Sequence, residues 1–247
     1  MILFRSLLFN LFSIVLHVIL LVGMLMLLPL PRKWMQATVR LWTRTIRAGL
    51  RHIVGLDFEA RGLEHRPVGA AVIACKHQSA WDTFVFYVLL RDPNYIMKTE
   101  LMQLPLWGWY ARKCGAISVD RAGGAAALKK MVRDVKDRLA KGRQVIVFPE
   151  GTRTAPGTRR PYQSGIAAIY KQIEAPVVPV AVNSGLFWRR RSFSKQPGVV
   201  VLQFLPAMPK GLTRDAFMAE LETRIETATD ALVAEARARF PHLADGD

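Results

Sequence analysis

Residues 69–90 read GAAVIACKHQSAWDTFVFYVLL. Gly69–Cys75 is a short apolar run containing Val72 and Ile73, with the composition of a strand buried on both faces. Lys76–Asp82 is a polar interruption, and Ala80–Leu90 returns to an apolar, helix-compatible pattern. A buried strand that passes through a polar turn into a helix is the repeating unit of a layered α/β domain. The polar turn falls at the carboxyl end of the strand, the edge where such sheets bind ligands.

The same alternation continues outward. Apolar, mostly β-branched runs recur at Asn94–Met97, Ala116–Val119, Gln144–Phe148, Pro176–Val182 and Val199–Leu205. Helical patterns separate several of them, at Glu100–Lys113, Gly124–Lys141 and Gly165–Gln172. A last amphipathic helix is expected over Thr213–Phe240, with Phe217, Leu221, Ile225 and Leu232 on one face. The expected fold is α/β: a mostly parallel central sheet flanked by helices, over residues 56–247. Residues 1–55 are expected to form membrane-anchoring helices ahead of it.

That division rests on charge and grease. From Ser6 to Pro31 the chain is uncharged and rich in Leu, Ile, Val, Phe and Met, and the first acidic residue is Asp57. The apolar run is long enough for a bilayer core of roughly 30 Å and lacks a small-residue cleavage site. Arg32 to Arg51 then alternates basic residues with Trp34, Met35, Val39, Leu41, Trp42, Ile46 and Leu50. This pattern predicts a basic amphipathic helix on anionic headgroups, its tryptophans at the interface. The positive cluster argues for the cytoplasmic face; Arg5 leaves open a spanning helix or a hairpin dipping into one leaflet.

The 247 residues carry 35 Lys+Arg against 19 Asp+Glu, a formal net charge of +16. An anionic partner follows: nucleic acid, acidic lipid or a phosphorylated substrate. With 51% hydrophobic residues the chain is no disordered tail, and its 2 cysteines exclude a disulfide framework. No Cys/His cluster suggests a metal.

Two constellations carry chemistry. In the first, the chain curling from strand to helix lets Asp82 reach back to His77. A carboxylate on one imidazole nitrogen fixes the tautomer and leaves the other nitrogen as a base. Ser79 lies too near in the turn to act as nucleophile, and Cys75 belongs to the buried strand. The second is Phe148–Arg153, FPEGTR, closing another strand. Gly151 permits a tight turn, Arg153 suits a phosphate, and Glu150 can fix the loop by pairing with a neighbouring cation.

Together the two motifs resemble the glycerolipid acyltransferases with an HxxxxD motif, and within them the 1-acyl-glycerol-3-phosphate acyltransferases. Lys98–Leu101 (KTEL), Gly115–Arg121 (GAISVDR) and Val177–Asn183 (VVPVAVN) match further blocks of that family in its order. The resemblance implies transfer of a fatty acyl group from acyl-CoA or acyl carrier protein to a lysophospholipid hydroxyl, without cofactor, metal or covalent intermediate. His77 is the implied base and Asp82 its orienter. The Glu150, Gly151 and Thr152 turn is expected to hold the oxyanion, with Lys98, Arg121 and Arg153 on the acceptor phosphate. Leu101–Tyr110, with Leu104, Leu106, Trp107 and Trp109, is expected to line an acyl channel. The expected partners are a membrane lipid acceptor, the thioester donor and an anionic membrane surface, not nucleic acid.

Two departures stand out: Lys76 replaces the family's usual Asn before the His, and Tyr162–Gly165 lacks its usual basic residue, for which Arg159 and Arg160 are candidate substitutes. Another lysolipid acceptor, such as lyso-ornithine lipid, fits the same chemistry. A non-enzymatic, membrane-tethered binder of anionic lipid or nucleic acid would explain the charge but not the motifs.

Overall fold

The computed structural model describes residues 1–243; the end of the expected domain, 244–247, lies outside the described residues. Seven strands form one sheet: β1 (Leu56–Arg61), β2 (Ala71–Cys75), β3 (Pro93–Lys98), β4 (Ile117–Val119), β5 (Gln144–Val147), β6 (Val177–Val182) and β7 (Gly198–Phe204). Their spatial order is β1-β7-β6-β2-β5-β3-β4. Every neighbouring pair is parallel except β6 with β7. The α/β expectation holds.

Strand β2 lies at the centre, with Ile73 opposite Ile146 of β5 on one side and Val178 of β6 on the other. Its side chains alternate between two cores. Ala71, Ile73 and Cys75 enter one, and Val72 and Ala74 the other. Burial on both faces explains why the strand reads as an unbroken apolar run. Strand β1 was not expected. Leu56, Phe58 and Ala60 alternate there with Asp57, Glu59 and Arg61, the pattern of a half-exposed strand, and they pair with β7 in parallel.

Helices cover both faces: α3 (Phe86–Leu89), α4 (Thr99–Gln103), α5 (Trp107–Cys114), α6 (Gly124–Ala140), α7 (Gly165–Tyr170), α8 (Ser184–Phe187) and α9 (Arg214–Arg239). Two expected helices are broken. Residues 80–90 hold a 3₁₀ turn at Trp81–Thr83 followed by the short α3. Residues 100–113 split into α4 and α5 around Pro105, which disfavours helix for its predecessor. Leu106 enters α5 with φ at 61°. Helix α9 buries Phe217, Leu221, Ile225 and Leu232 as expected, together with the polar Glu226 and Thr229.

The N-terminus is a hairpin of α1 (Ile2–Gly23) and α2 (Arg32–Gly49). Within the apolar stretch Ile2–Leu27 the mean hydropathy reaches 2.4 over 18 residues, and its outward residues, among them Leu11, Ile14, Val15, Val18 and Ile19, are bare. The inward face is docked. Phe12 packs over Gly49, where a Cβ would collide with the ring, and Phe9 meets Trp188 edge-on at 5.8 Å. The Tyr110 hydroxyl donates to Leu21 O at 2.6 Å, and Lys113 Nζ to Leu28 O at 2.9 Å. Arg32 forks onto both Asp92 oxygens at 2.7 and 2.5 Å.

Helix α2 therefore departs from a free basic face. Arg32 turns inward to Asp92, and Arg47 lies 4.0 Å over the Phe58 ring. Trp42 packs between His17 and Phe84 rather than at an interface, whereas Trp34 remains exposed. The physical reason is that the hairpin must cover the sheet's apolar face, so a full stripe of α2 is drawn inward.

Candidate active site

The carboxyl ends of β4, β3, β5, β2 and β6 all reach one edge of the sheet, as a parallel arrangement requires. Strand β2 delivers His77 there. The Lys76 N–H still pairs with Val180 O at 3.0 Å, but the His77 N–H has passed the end of the ladder and donates to Glu150 Oε2 at 2.9 Å. His77 O accepts from the Thr154 N–H at 2.8 Å. Both backbone polar groups of His77 are thus held by the loop that follows β5.

The chain then folds back on Asp82. Its Oδ2 accepts the N–H groups of Gln78 at 2.7 Å and Ser79 at 2.8 Å, and lies 3.0 Å from His77 Nδ1. Oδ1 accepts from the Ser184 hydroxyl at 2.5 Å. Asp82 is fully buried. A carboxylate can only accept, so Nδ1 carries a proton toward Asp82, and in the neutral ring the lone pair lies on Nε2. The imidazole also stacks on Phe148, centroids 3.9 Å apart and planes 17° apart. This leaves it little freedom to rotate.

His77 opens into a cleft of about 1090 Å³ that also receives Lys98, Arg121, Gly151, Thr152 and Arg153. Gly151 has φ at 68°, and a Cβ there would lie 3.0 Å from the Arg121 guanidinium. Only glycine allows both the turn and that approach. The Gly151 N–H is already committed to Phe148 O at 2.9 Å, so it does not project into the cleft as a donor. Burial depresses the pKa of Arg153, Asp82 opposes this, and the like charge of Arg190 adds to it. Burial also lowers that of Arg121, against Glu100.

Glu150 is not brought into the cleft. Its carboxylate lies inside the protein, with Oε1 paired to Lys76 Nζ at 2.8 Å. The neighbouring cation expected for Glu150 is therefore Lys76. Arg159 pairs with Asp230 of α9 at 2.8 Å. Neither it nor Arg160 lines the cleft.

The apolar walls differ from expectation in part. Leu101, Leu104 and Trp107 line the cleft and stand exposed at its rim. Trp109 does not reach it, and Leu106 turns instead into a cluster with Met24 and Met35. The deeper apolar wall comes from Leu128 and Met131 of α6 and Ile166 and Ile169 of α7, residues that the sequence did not single out. Arg190 and Arg191 also reach the cleft. Their signal in the sequence is the arginine-rich stretch Trp188–Phe193, which mixes cations with aromatics. Ser184 was missed, although it directly follows the Val177–Asn183 block at the same sheet edge.

The cleft thus joins a held imidazole to a cationic mouth and an apolar interior. Comparisons with known proteins agree with that chemistry. The family model described as Acyltransferase matches residues 57–183. The 1-acyl-sn-glycerol-3-phosphate acyltransferase of Pseudomonas aeruginosa is 33% identical over 197 residues, covering 80% of this chain and 77% of that one. The enzyme of that name from Limnanthes alba is 30% identical over 198 residues, covering 79% and 70%. The crystal structure of the 1-acyl-sn-glycerophosphate (LPA) acyltransferase PlsC from Thermotoga maritima superposes with a TM-score of 0.77 at 22% identity, over 94% of this chain and 98% of that one. At that identity the likeness speaks for the fold. By its matched segment and its relatives, this chain belongs to the acyltransferase family, among the 1-acyl-sn-glycerol-3-phosphate acyltransferases.

Proposed function

We propose that the protein transfers a fatty acyl group from an acyl thioester, acyl-CoA or acyl carrier protein, to the sn-2 hydroxyl of 1-acyl-glycerol-3-phosphate, giving phosphatidic acid. The observation that carries this is the His77–Asp82 pair at 3.0 Å, opening into a cleft with cations at its mouth and aliphatic side chains within.

His77 Nε2 takes the proton from the acceptor hydroxyl as the oxygen attacks the thioester carbonyl. Asp82 holds the ring and stabilises the imidazolium that forms. The tetrahedral intermediate collapses, the carbon–sulfur bond breaks, and the thiolate recovers the proton from His77. The lipid oxygen is itself the nucleophile, so the step needs no covalent acyl-enzyme. Arg153, Arg121 and Lys98 neutralise the acceptor phosphate. With the Gly151 N–H already engaged, the developing oxyanion falls to the Thr152 end of the turn. The α6–α7 wall takes an acyl chain.

The N-terminal hairpin seats the enzyme on the membrane from one side. Ser6 and Asn10 of α1 bond to the loop carrying Lys195 and Phe193. Fastened to the body along its inward face, this helix is placed to bed its bare apolar face into one leaflet. The exposed Leu101, Leu104 and Trp107 extend that surface to the cleft's rim.

The test is acyl transfer by membranes containing the protein, with defined lysolipids and both donor types, and the His77→Ala protein as control. Lysophosphatidic acid should be preferred over zwitterionic lysolipids. Preference for lyso-ornithine lipid would overturn the acceptor assignment, and full activity of His77→Ala the mechanism.

A further inference from the structure

We infer that Lys76 is a positioning residue for the base, acting as the hub of a buried charge bridge that ties the C-terminal helix α9 to the catalytic loop. The inference rests on His77 being that base.

Lys76 is 1% exposed although it carries an ammonium group. Its Nζ lies 2.8 and 2.9 Å from the two oxygens of Glu226 in α9, and 2.8 Å from Glu150 Oε1. The other oxygen of Glu150 accepts the His77 N–H at 2.9 Å. A continuous path therefore runs from Glu226 through Lys76 and Glu150 to the backbone of His77. Tyr162 closes the far end, its hydroxyl donating to Glu226 Oε1 at 2.9 Å. Burial, with the Glu226 charge adding to it, pushes that hydroxyl well above its ordinary pKa, so it stays a neutral donor.

The bridge is not explained by stability alone. Burying charges is costly, and apolar side chains of similar volume commonly hold a core at least as well. What the charges add is placement. Glu226 holds Nζ by accepting hydrogen bonds at both oxygens, Glu150 Oε1 meets it as an ion pair outside hydrogen-bond geometry, and the other oxygen of Glu150 holds the peptide from which the imidazole projects. The ring's reach toward a substrate hydroxyl depends on that peptide. A displacement of about 1 Å at such a point costs on the order of 100-fold in rate. Glu226 lies outside residues 57–183, the segment that the family model matches. An ammonium at position 76 is what draws a carboxylate from α9 into the bridge.

The experiment compares the full-length wild type with Lys76→Met, Glu226→Gln, the double variant and His77→Ala in mixed micelles of lysophosphatidic acid and donor. The readouts are kcat, both KM values and the thermal unfolding midpoint. Lys76→Met is expected to lower kcat about 10- to 100-fold with KM values little changed. Glu226→Gln should cost less, since the amide oxygen still accepts from Lys76. The double variant should recover part of the thermal stability lost in Lys76→Met, because the uncompensated charge of Glu226 is removed while that of Glu150 remains, without recovering kcat. If kcat returns along with stability, or never falls in Lys76→Met, the positioning role is overturned. Should Lys76→Met not fold, Glu226→Leu, which removes the α9 acceptor altogether, decides: lower kcat measured well below its unfolding midpoint supports the bridge, and unchanged kcat sinks it. Full activity of His77→Ala would instead remove the base assignment itself.

Discussion

Asp82 Oδ2 lies 3.0 Å from His77 Nδ1 while accepting the backbone N–H groups of Gln78 and Ser79. One carboxylate oxygen therefore shapes the turn and orients the imidazole together. The five-residue spacing of the pair in the chain follows from this. On a continuous helix the two side chains would diverge, but the turn built on Asp82 brings them face to face.

Replacing the carboxylate should expose that double duty. In Asp82→Asn the Gln78 and Ser79 N–H groups keep the amide oxygen facing Nδ1, but the negative charge that stabilises the imidazolium is lost. We expect kcat to fall about 10²–10⁴-fold, as on removing a general base, with His77→Ala falling as far. Steady-state kinetics alongside circular dichroism will separate this from unfolding.

Ser184 donates the bond that satisfies the second oxygen of a fully buried carboxylate. Ser184→Ala leaves that oxygen without a donor, at a cost of about 1–3 kcal/mol in stability. Chemical denaturation should register the loss, and kcat should fall while the acceptor KM holds.

The turn at Gly151 combines φ at 68° with an arginine laid over it. Gly151→Ala should destabilise the protein by about 1–2 kcal/mol through the left-handed backbone alone. It should also displace Arg121 and raise the acceptor KM. An unchanged KM would remove Arg121 from phosphate binding.

Arg190 and Arg191 are exposed at the cleft mouth beside Arg153. Their replacement by Ala, singly or together, should raise the acceptor KM on anionic vesicles and weaken its dependence on salt. Arg153→Ala should raise KM further and leave the salt dependence nearer that of wild type, since Arg153 is the more buried cation.

Acid should loosen the join between hairpin and body. The pKa of Asp92 lies below its ordinary value of 3.8: burial opposes ionisation, but the hydrogen bonds and charge of Arg32, with Asn94 and Arg143, outweigh it. A carboxyl whose folded pKa is depressed stabilises the fold above its unfolded value and loses that contribution as pH falls through the folded one. Asp92→Asn should therefore be less stable at neutral pH and show a shallower loss of stability below about pH 4. Unfolding midpoints across pH 3–7 will show whether the two proteins converge in acid.

The sequence by itself determined the parts that depend on near neighbours. The apolar run Gly69–Cys75, the turn from His77 to Asp82 and the glycine of FPEGTR each encode a local geometry, and strand–helix alternation entails a parallel sheet with its turns at one edge. Patterning failed where local signals are weak or in conflict: β1 is a half-exposed strand with little β-branching, and Pro105 breaks a stretch whose hydrophobicity still reads as helix. Only the tertiary structure decided which distant side chains meet. Ser184 reaches Asp82 across a separation of 102 residues, Lys76 reaches Glu226 across 150, and Arg190 joins Arg153 in the cleft. Those pairings have no periodicity to read, because they follow from strand order and helix packing. The order β6-β2-β5 sets the loops side by side, and α9 is close enough to bury a charge that its own sequence presents as one more polar residue.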